Sequence, residues 1–195
     1  MAAYKLLLHP KDPHCQVATS ALADSLQDLG LIGAPVQLAQ QTFYPVGEQF
    51  LQLVTFLGCS PAIELDPPDD PELLAAASAS GSFCHVFLGE SAQPWLRGAD
   101  NTPAPGCPHC REPLADWPAL QSAWRDNPAQ ARWTCTACGQ SGDPAALSLR
   151  KTAGVACSWV EIRGIYPSEA VPGTALLDCL RELAGCDWKT LYLQE

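Results

Sequence analysis

Apolar and polar positions near the start of the chain follow a strand pattern and then a helix pattern. The apolar run Tyr4–Leu8 predicts a strand. A helix is predicted next, with Asp12 as its N-cap, Pro13 in its first turn and Gly30 at its end. Its buried face is formed by apolar residues at helical spacing, namely Ala18, Leu22, Leu26 and Leu29.

Strand and helix patterns alternate through the rest of the chain, on both sides of a cysteine-rich stretch at residues 99–151. Before that stretch we predict strands at 50–57, 62–65 and 83–88 and a helix from Asp70-Pro71 to Gly81. After it we predict a strand at 155–165, a helix from about Thr174 to Leu183 that ends at Gly185, and a strand at 188–193.

These elements form two strand-helix-strand halves, and the halves predict an α+β, ferredoxin-like fold in which helices cover an antiparallel sheet. The main domain then comprises residues 1–98 and 152–195, and residues 99–151 form an inserted module. The alternative is an open α/β sheet with the same insertion, in which the first strand and helix are a further unit. A faint similarity between residues 58–88 and 164–188 leaves an internal repeat open.

The inserted module has local patterns of its own. Residues 94–105 are rich in turn formers and predict a linker into it. Asp116 can cap a short helix that runs through Trp124, and Asp143-Pro144 predicts a short helical turn. Packing against the main domain is the simplest role for the tryptophans around the module, which are Trp95, Trp117, Trp124 and Trp133.

Four of the ten cysteines stand in two pairs at a spacing typical of metal ligands. The pairs are Cys107-Pro-His-Cys110 and Cys135-Thr-Ala-Cys138, with 24 residues between them. Two residues between cysteines allow a tight turn to direct both sulfur atoms at one ion while backbone N–H groups point at those sulfurs, and two such turns complete a tetrahedron. We therefore predict one metal ion bound by these cysteines. Free thiols or a redox pair are the alternatives.

The same segment resembles a zinc ribbon of the four-cysteine, rubredoxin-like kind, over about residues 103–150 of the 195. The resemblance rests on the two cysteine pairs and on Gly139 after the second pair; Arg111 stands at the corresponding position after the first pair, where glycine is usual. It implies one structural Zn2+ ion, whose four sulfur ligands leave no open position for a substrate. Iron in this ligand set would imply electron transfer. The resemblance does not extend to the rest of the chain.

Composition and charge narrow the choice of partners. The formal charge is −10, and the four lysines and seven arginines are spread along the chain, so nucleic acid is a poor partner. There is no run of about 18 uncharged apolar residues and no signal-peptide pattern, which predicts a cytoplasmic protein with reduced thiols. High alanine and proline with few lysines is typical of GC-rich bacterial genomes.

Several histidines and cysteines lie outside the two pairs. His9, His14, Cys15, Cys84 and His85 could carry chemistry, but a lone histidine or cysteine beside a strand is more often packed or hydrogen-bonded than catalytic. We assign no catalytic residue and no cofactor-binding motif. The remaining cysteines are expected to be inert core residues: Cys59, Cys157, Cys179 and Cys186.

Three classes of function remain. Acidity, a closed metal site and the absence of catalytic motifs favour a cytoplasmic protein-interaction or regulatory protein. Whether the main domain binds a small molecule is left open. An enzyme with its site on the main domain would need a pocket that joins His9, His14, Cys84 and His85. Nucleic-acid binding through the ribbon would need its arginines on one face: Arg111, Arg125, Arg132 and Arg150.

Overall fold

The computed structural model describes residues 4–38, 41–57, 63–98, 102–149, 153–166 and 169–194. The strands and helices within these ranges are, in chain order, β1 (Tyr4–Pro10), α1 (Thr19–Asp28), β2 (Val36–Leu38), β3 (Gln41–Pro45), α2 (Phe50–Leu53), β4 (Val54–Phe56), α3 (Pro71–Ser80), β5 (His85–Gly98), α4 (Trp117–Asp126), β6 (Trp133–Thr134), β7 (Ser141–Gly142), a 3-10 helix (Pro144–Ala146), β8 (Ala153–Arg163), β9 (Ala170–Pro172), α5 (Thr174–Ala184) and β10 (Trp188–Gln194).

Six strands form one open sheet in the spatial order β10-β1-β8-β5-β3-β2. All strand pairings described in this sheet are antiparallel. Four of its strands and two helices occur along the chain in the order β1-α1-β5-β8-α5-β10, with other elements between them. The last strand, β10, returns to pair with β1. Because β1 therefore has a neighbour on each side, six of its seven residues are buried. Two smaller sheets pair β4 with β9 and β6 with β7.

The main core lies between one face of the sheet and the helices α1 and α5. Side chains alternate along a strand, so Leu6 and Leu8 of β1 share this face with Val160 and Ile162 of β8. Each fully buried leucine contributes about 2 kcal/mol to folding relative to an exposed one. The two helices cover the face with Leu22, Leu26, Leu176 and Leu180.

The opposite face of the sheet holds a buried carboxylate. The Glu161 side chain is only 1% exposed, and its Oε2 lies 2.8 Å from Arg163 Nη2 and 3.5 Å from Lys5 Nζ. Arg97 Nη2 donates to the other carboxylate oxygen. Three cations thus surround one anion, and this offsets the cost of burying its charge.

Strands β5 and β8 extend past the main sheet as a two-stranded arm. Their pairing is irregular between Glu90 and Trp95, and beyond that point residues 95–98 pair with residues 153–156. Gly154 at the start of β8 lies so close to β1 and β10 that a Cβ there would be 2.8 Å from His9 Nε2 and 3.3 Å from Leu191. The arm therefore packs against the face of the sheet opposite to the helices.

A second core joins this arm to residues 102–149, which we call the cysteine segment. Leu96, Ala153 and Val155 of the arm pack with buried residues of the segment that include Trp117, Trp124 and Trp133. The indole N–H of Trp124 donates to the carbonyl oxygen of Pro94 at 3.0 Å. The packing role predicted for these three tryptophans is confirmed, and Trp95 is half-buried.

The predicted strands at the two ends of the chain and the predicted helices α3 and α5 are confirmed. The start of the first helix was predicted wrongly, since α1 begins at Thr19. Asp12 caps a turn instead, because its Oδ1 accepts a hydrogen bond from His14 N–H at 3.0 Å. The chain that follows is held to β8 by a 2.7 Å bond from Val17 N–H to Ser158 Oγ.

Other predicted boundaries also change. Residues 50–57 are not one strand, because Phe50 and Leu53 bury their side chains on the short helix α2 before β4 begins. Of the strand predicted at 62–65, residues 63–65 have no regular structure and residue 62 lies outside the described residues. Residues 94–98 are not linker but the outer part of β5. Strands β2, β3 and β9 were not predicted.

Candidate metal centre

The four paired cysteines meet at one point of the cysteine segment. Their Sγ atoms all lie within 4.8 Å of one another. Cys107 Sγ is 3.7 Å from Cys138 Sγ, and Cys110 Sγ is 3.6 Å from Cys135 Sγ. A tetrahedral zinc ion with Zn–S bonds of about 2.3 Å requires sulfur atoms about 3.8 Å apart. The donor set and its spacing therefore fit one tetrahedral ion, for which zinc and iron are the usual occupants.

Each Cys-x-x-Cys turn, which we call a knuckle, is closed by two backbone hydrogen bonds. In the first knuckle Cys107 N–H donates to Glu112 O at 2.8 Å, and Arg111 N–H donates to Cys107 O at 2.9 Å. The second knuckle repeats both bonds at 2.8 Å, with Cys135, Gly139 and Gln140 in the corresponding positions. Because the two knuckles have the same geometry, each directs its two sulfur atoms at the same point between them.

Backbone N–H groups also point at the sulfur atoms. Desolvation acts to raise the pKa of the Cys107 thiol, but N–H groups of Cys110 and His109 donate to its sulfur, and the net result lowers that pKa to about 6. A further N–H group, from Gln140, points at Cys138 Sγ. The thiolate is the form that binds a metal, and the knuckle N–H groups favour it. Without an ion the four thiols do not all follow Cys107: against the N–H group of Glu112, desolvation and the neighbouring thiols raise the pKa of Cys110 to about 12, and the pKa of Cys138 is also raised.

The centre lies at the edge of the second core. Cys107 and Cys135 are 1% and 2% exposed and pack with the buried tryptophans, whereas Cys110 and Cys138 are exposed to solvent. Each knuckle thus offers one inner and one outer sulfur. An ion bound here would connect the exposed turns of the segment to its packed interior.

The other candidate residues do not form a common site. Cys84 directly precedes β5 and packs in the main core, whereas His85 is the first residue of β5 and is not part of that core. Burial raises the pKa of the Cys84 thiol to about 12, which disfavours a nucleophile. His14 is exposed, and desolvation raises the pKa of the half-buried Cys15 to about 11. Among the residues that the structure describes, only the four paired cysteines form a group that could hold a metal ion.

His85 has a structural environment. It is fully buried, its Nδ1 donates to Phe83 O at 2.9 Å, and its Nε2 is 3.4 Å from Ser78 Oγ. The rings of Phe83 and Phe87 lie 4.4 Å and 5.3 Å from the imidazole, centroid to centroid. Of the cysteines expected to be inert, Cys157 is buried and Cys179 and Cys186 are half-buried; Cys59 lies outside the described residues.

The described arginines of the cysteine segment are outnumbered by its carboxylates. Arg111 and Arg132 are exposed and Arg125 is half-buried, while Arg150 lies outside the described residues. The segment contains these three arginines against four carboxylate side chains. Four thiolates around a divalent ion would add about two more negative charges, so the segment would repel phosphate.

Sequence reasoning missed two features of the structure. The first is the ion-pair network at Glu161, whose cations come from three separate strands. The second is a cavity of about 280 Å3 beside His9, lined from several distant parts of the chain. Neither has a local pattern, because the residues become neighbours only in the folded sheet.

Comparisons of the chain with protein families, with curated proteins and with solved structures gave no match. Within the described ranges, no helix is long and apolar enough to cross a membrane.

Proposed function

We propose that this protein is a zinc-stabilised protein-interaction or regulatory protein of the bacterial cytoplasm, in which Cys107, Cys110, Cys135 and Cys138 hold one structural Zn2+ ion. The observation that carries the proposal is the set of four sulfur atoms within 4.8 Å of one another, with two of their separations, 3.6 Å and 3.7 Å, close to the tetrahedral value. A fully sulfur-ligated zinc ion supplies a rigid crosslink between the two knuckles and has no position for water or substrate. Its contribution is therefore to the stability of the cysteine segment.

We also propose a division of the chain into a main domain of residues 1–98 and 152–195 and an inserted zinc ribbon of residues 99–151. The second core supports this division, since it is distinct from the main core, although Leu96, Ala153 and Val155 of the arm contribute to it. The strand order β10-β1-β8-β5, with α1 and α5 covering one face, supports a ferredoxin-like main domain that β3 and β2 extend on one side.

Three observations favour protein interaction over the other classes. Apart from His9, the histidines and cysteines that an enzyme site would need are dispersed, because His14 is exposed, Cys84 lies in the main core and His85 is enclosed by phenylalanine rings. The acidic cysteine segment disfavours nucleic acid. The residues between the ligands of each knuckle, in contrast, are exposed on a backbone fixed by hydrogen bonds, and such a surface suits a protein partner: Pro108, His109, Thr136 and Ala137.

The metal is tested by elemental mass spectrometry of the purified protein, with free thiols counted before and after chelation. We expect one zinc per chain and four thiols that become reactive only after chelation. One iron per chain would move the proposal to electron transfer, and a metal-free protein with full secondary structure would refute the structural zinc site.

The interaction is tested by crosslinking in cells with a variant that changes only the knuckle surface, His109→Glu with Thr136→Glu. We expect this variant to keep its zinc and to lose the partners that crosslink to the wild-type protein. The control is Leu73→Glu, which changes an exposed residue of α3 outside the cysteine segment. This variant should still crosslink to the partners of the wild-type protein. Identical crosslinks in all three proteins would remove the knuckles as the docking surface.

A further inference from the structure

The cavity beside His9 lies where the main sheet meets the end of the cysteine segment. Its volume is about 280 Å3, and its walls come from the end of β1, the start of β8, β10 and residues 145–149. This volume is just below the range of about 300–1,000 Å3 that is usual for ligand pockets, so the cavity suits only a small molecule. Much of the lining is apolar and includes Leu147, Leu149, Val155 and Leu191.

Two lysines give the cavity a positive charge. Lys11 and Lys189 line it, and the described lining residues include no aspartate or glutamate, although the chain has a formal charge of −10. No ion pair joins either lysine to a carboxylate within the described part of the chain. The carbonyl of Asp187 accepts from Lys11 N–H at 2.7 Å, but the carboxylate of Asp187 pairs with Arg181 at 2.9 Å. The cavity therefore attracts anions.

His9, one of the lining residues, has a buried hydrogen-bond acceptor. It is only 3% exposed, and its Nδ1 lies 2.8 Å from Pro10 O, so Nδ1 carries the proton and Nε2 is left as the acceptor. Nε2 is buried without a hydrogen-bond partner among the described residues, and it faces Gly154 of the cavity wall. A buried acceptor without a donor is unfavourable, so a ligand that donates to it would be stabilised.

The protonation state of His9 agrees with this role. Desolvation lowers its pKa to about 4, against the hydrogen bond to Pro10, which raises it, and Lys189 directly across on β10 lowers it further. At neutral pH the imidazole is therefore uncharged. It cannot serve as an anion-binding cation, and the lysines carry that role.

We propose that this cavity binds a small organic carboxylate with an apolar body and a hydroxyl group. The carboxylate lies at Lys11 and Lys189, the body packs against the leucines and valine, and the hydroxyl donates to His9 Nε2. The site goes beyond the structural zinc centre and does not depend on which metal the cysteines hold. Residues 145–149, however, both follow the second knuckle in the chain and form one wall of the cavity. The ligand site and the metal centre are therefore connected through this segment.

The test uses 4-hydroxybenzoate as the probe, titrated into the full-length, metal-loaded protein by isothermal titration calorimetry at neutral pH. We expect saturable binding to one site. Benzoate, which lacks the hydroxyl, should bind about threefold or more weakly, as the loss of one hydrogen bond predicts. Equal affinity for benzoate would overturn the role of His9. If inorganic phosphate bound as tightly as 4-hydroxybenzoate or more tightly, the proposal that the ligand has an apolar body would be wrong.

Variants on the exposed rim locate the site without disturbing the core. Lys11→Gln and Lys189→Gln should each weaken binding about twofold to fivefold, the usual range for an exposed charge pair. Ser148→Phe, at an exposed lining position, should weaken it at least about tenfold by filling the cavity. Arg132→Gln, an exposed cation of the cysteine segment, is the control that should leave affinity unchanged.

A spectroscopic measurement ties the ligand to His9. The Nε2 nitrogen resonance of His9 should move on addition of 4-hydroxybenzoate and stay in place on addition of benzoate. No saturable heat with any of the probes, or binding that neither the lysine variants nor Ser148→Phe alter, would overturn the proposal. Either result would leave the zinc content, and thus the proposed structural centre, unaffected.

Discussion

Arg111 and Gly139 hold the same position in the two knuckles, one residue after the second cysteine, and both have a left-handed backbone with φ angles of +66° and +72°. Arg111 is the one non-glycine residue with positive φ in the part of the chain that the structure describes. The conformation is imposed by the knuckle, because the N–H of each residue must reach the carbonyl of the first cysteine. A side chain with a Cβ adopts it at a cost of about 1–2 kcal/mol.

This relationship predicts opposite effects of two substitutions. Gly139→Ala should lower the free energy of unfolding of the metal-loaded protein by about 1 kcal/mol. No atom lies within 4 Å of the added Cβ, so the loss comes from the backbone conformation alone. Arg111→Gly should raise the same free energy by up to about 1 kcal/mol, because the relief of strain exceeds the entropy that glycine gains in the unfolded chain. Urea unfolding measures both.

A third variant separates the backbone from the guanidinium group. Arg111→Ala removes the charge and keeps a Cβ, so it should not be more stable than the wild type. If Arg111→Ala and Arg111→Gly were equally stabilising, the effect would belong to the lost charge and not to the φ angle.

The carboxylate of Glu161 should be essential for the sheet. Glu161→Gln keeps the size of the side chain but leaves Lys5, Arg97 and Arg163 around a neutral amide. Removal of one partner from a buried ionic group usually lowers stability by about 3 kcal/mol or more. Asp178→Asn is the matched control, since Asp178 pairs with Arg181 at 2.8 Å while both are about half exposed, and its loss should be below about 1 kcal/mol. Similar losses in the two variants would contradict a special role for Glu161.

The two buried histidines should make stability depend on pH. Desolvation lowers the pKa of both His9 and His85 to about 4, whereas an unfolded histidine titrates near 6.5. Between these values the unfolded chain binds more protons than the folded one. The free energy of unfolding should therefore fall as pH decreases from about 6.5 to 4, by about 3 kcal/mol for each histidine.

His85→Phe tests this sign directly. The new ring would join Phe43, Phe83 and Phe87, which already surround the imidazole, and one titrating group would be removed. The free energy of unfolding of the variant should depend less steeply on pH between 6.5 and 4 than that of the wild type. A difference in stability that is the same at every pH does not affect this comparison. Direct titration by nitrogen NMR should find both imidazoles neutral at pH 6, and a protonated His85 at that pH would contradict the prediction.

Local sequence patterns predicted the elements whose ends are marked by their own residues. Helix α3 begins where Asp70 Oδ1 accepts from Glu72 N–H at 2.8 Å and ends at the left-handed Gly81, and α5 ends in the same way at Gly185. The cysteine spacing likewise predicted which four sulfur atoms meet, because each knuckle is a local turn. In these cases the deciding contacts join residues that are close in the chain.

Contacts between distant residues decided what could not be predicted. The turn at Asp12 replaces the start of a helix because Val17 bonds to Ser158, a residue far away in sequence. Helix α2 has an apolar run that suits a strand equally well, and burial of Phe50 and Leu53 decides between them. The cavity beside His9 likewise needs β10 to return beside β1 before Lys189 can face His9.

Loss of the metal should unfold the cysteine segment and spare the main sheet. Cys135→Ser removes a buried ligand and Cys110→Ser removes an exposed one. If an ion joins the knuckles, both variants should lose zinc and lose hydrogen-exchange protection throughout residues 102–149, because metal binding supplies much of the folding free energy of such a segment. Amides of β1, β10 and residues 160–163 of β8 should stay protected, since the main core does not include the cysteine segment.

The pair of variants distinguishes metal binding from packing. Serine at the exposed position 110 leaves the packed interior of the segment unchanged, so an effect equal to that at position 135 indicates that the two residues act through the shared ion. If Cys110→Ser behaved like the wild type while Cys135→Ser was destabilised, the cysteines would act as core residues and the metal assignment would fail. Cys179→Ser, on α5 and outside the centre, is the control for the chemical change itself and should keep both zinc and protection of the segment.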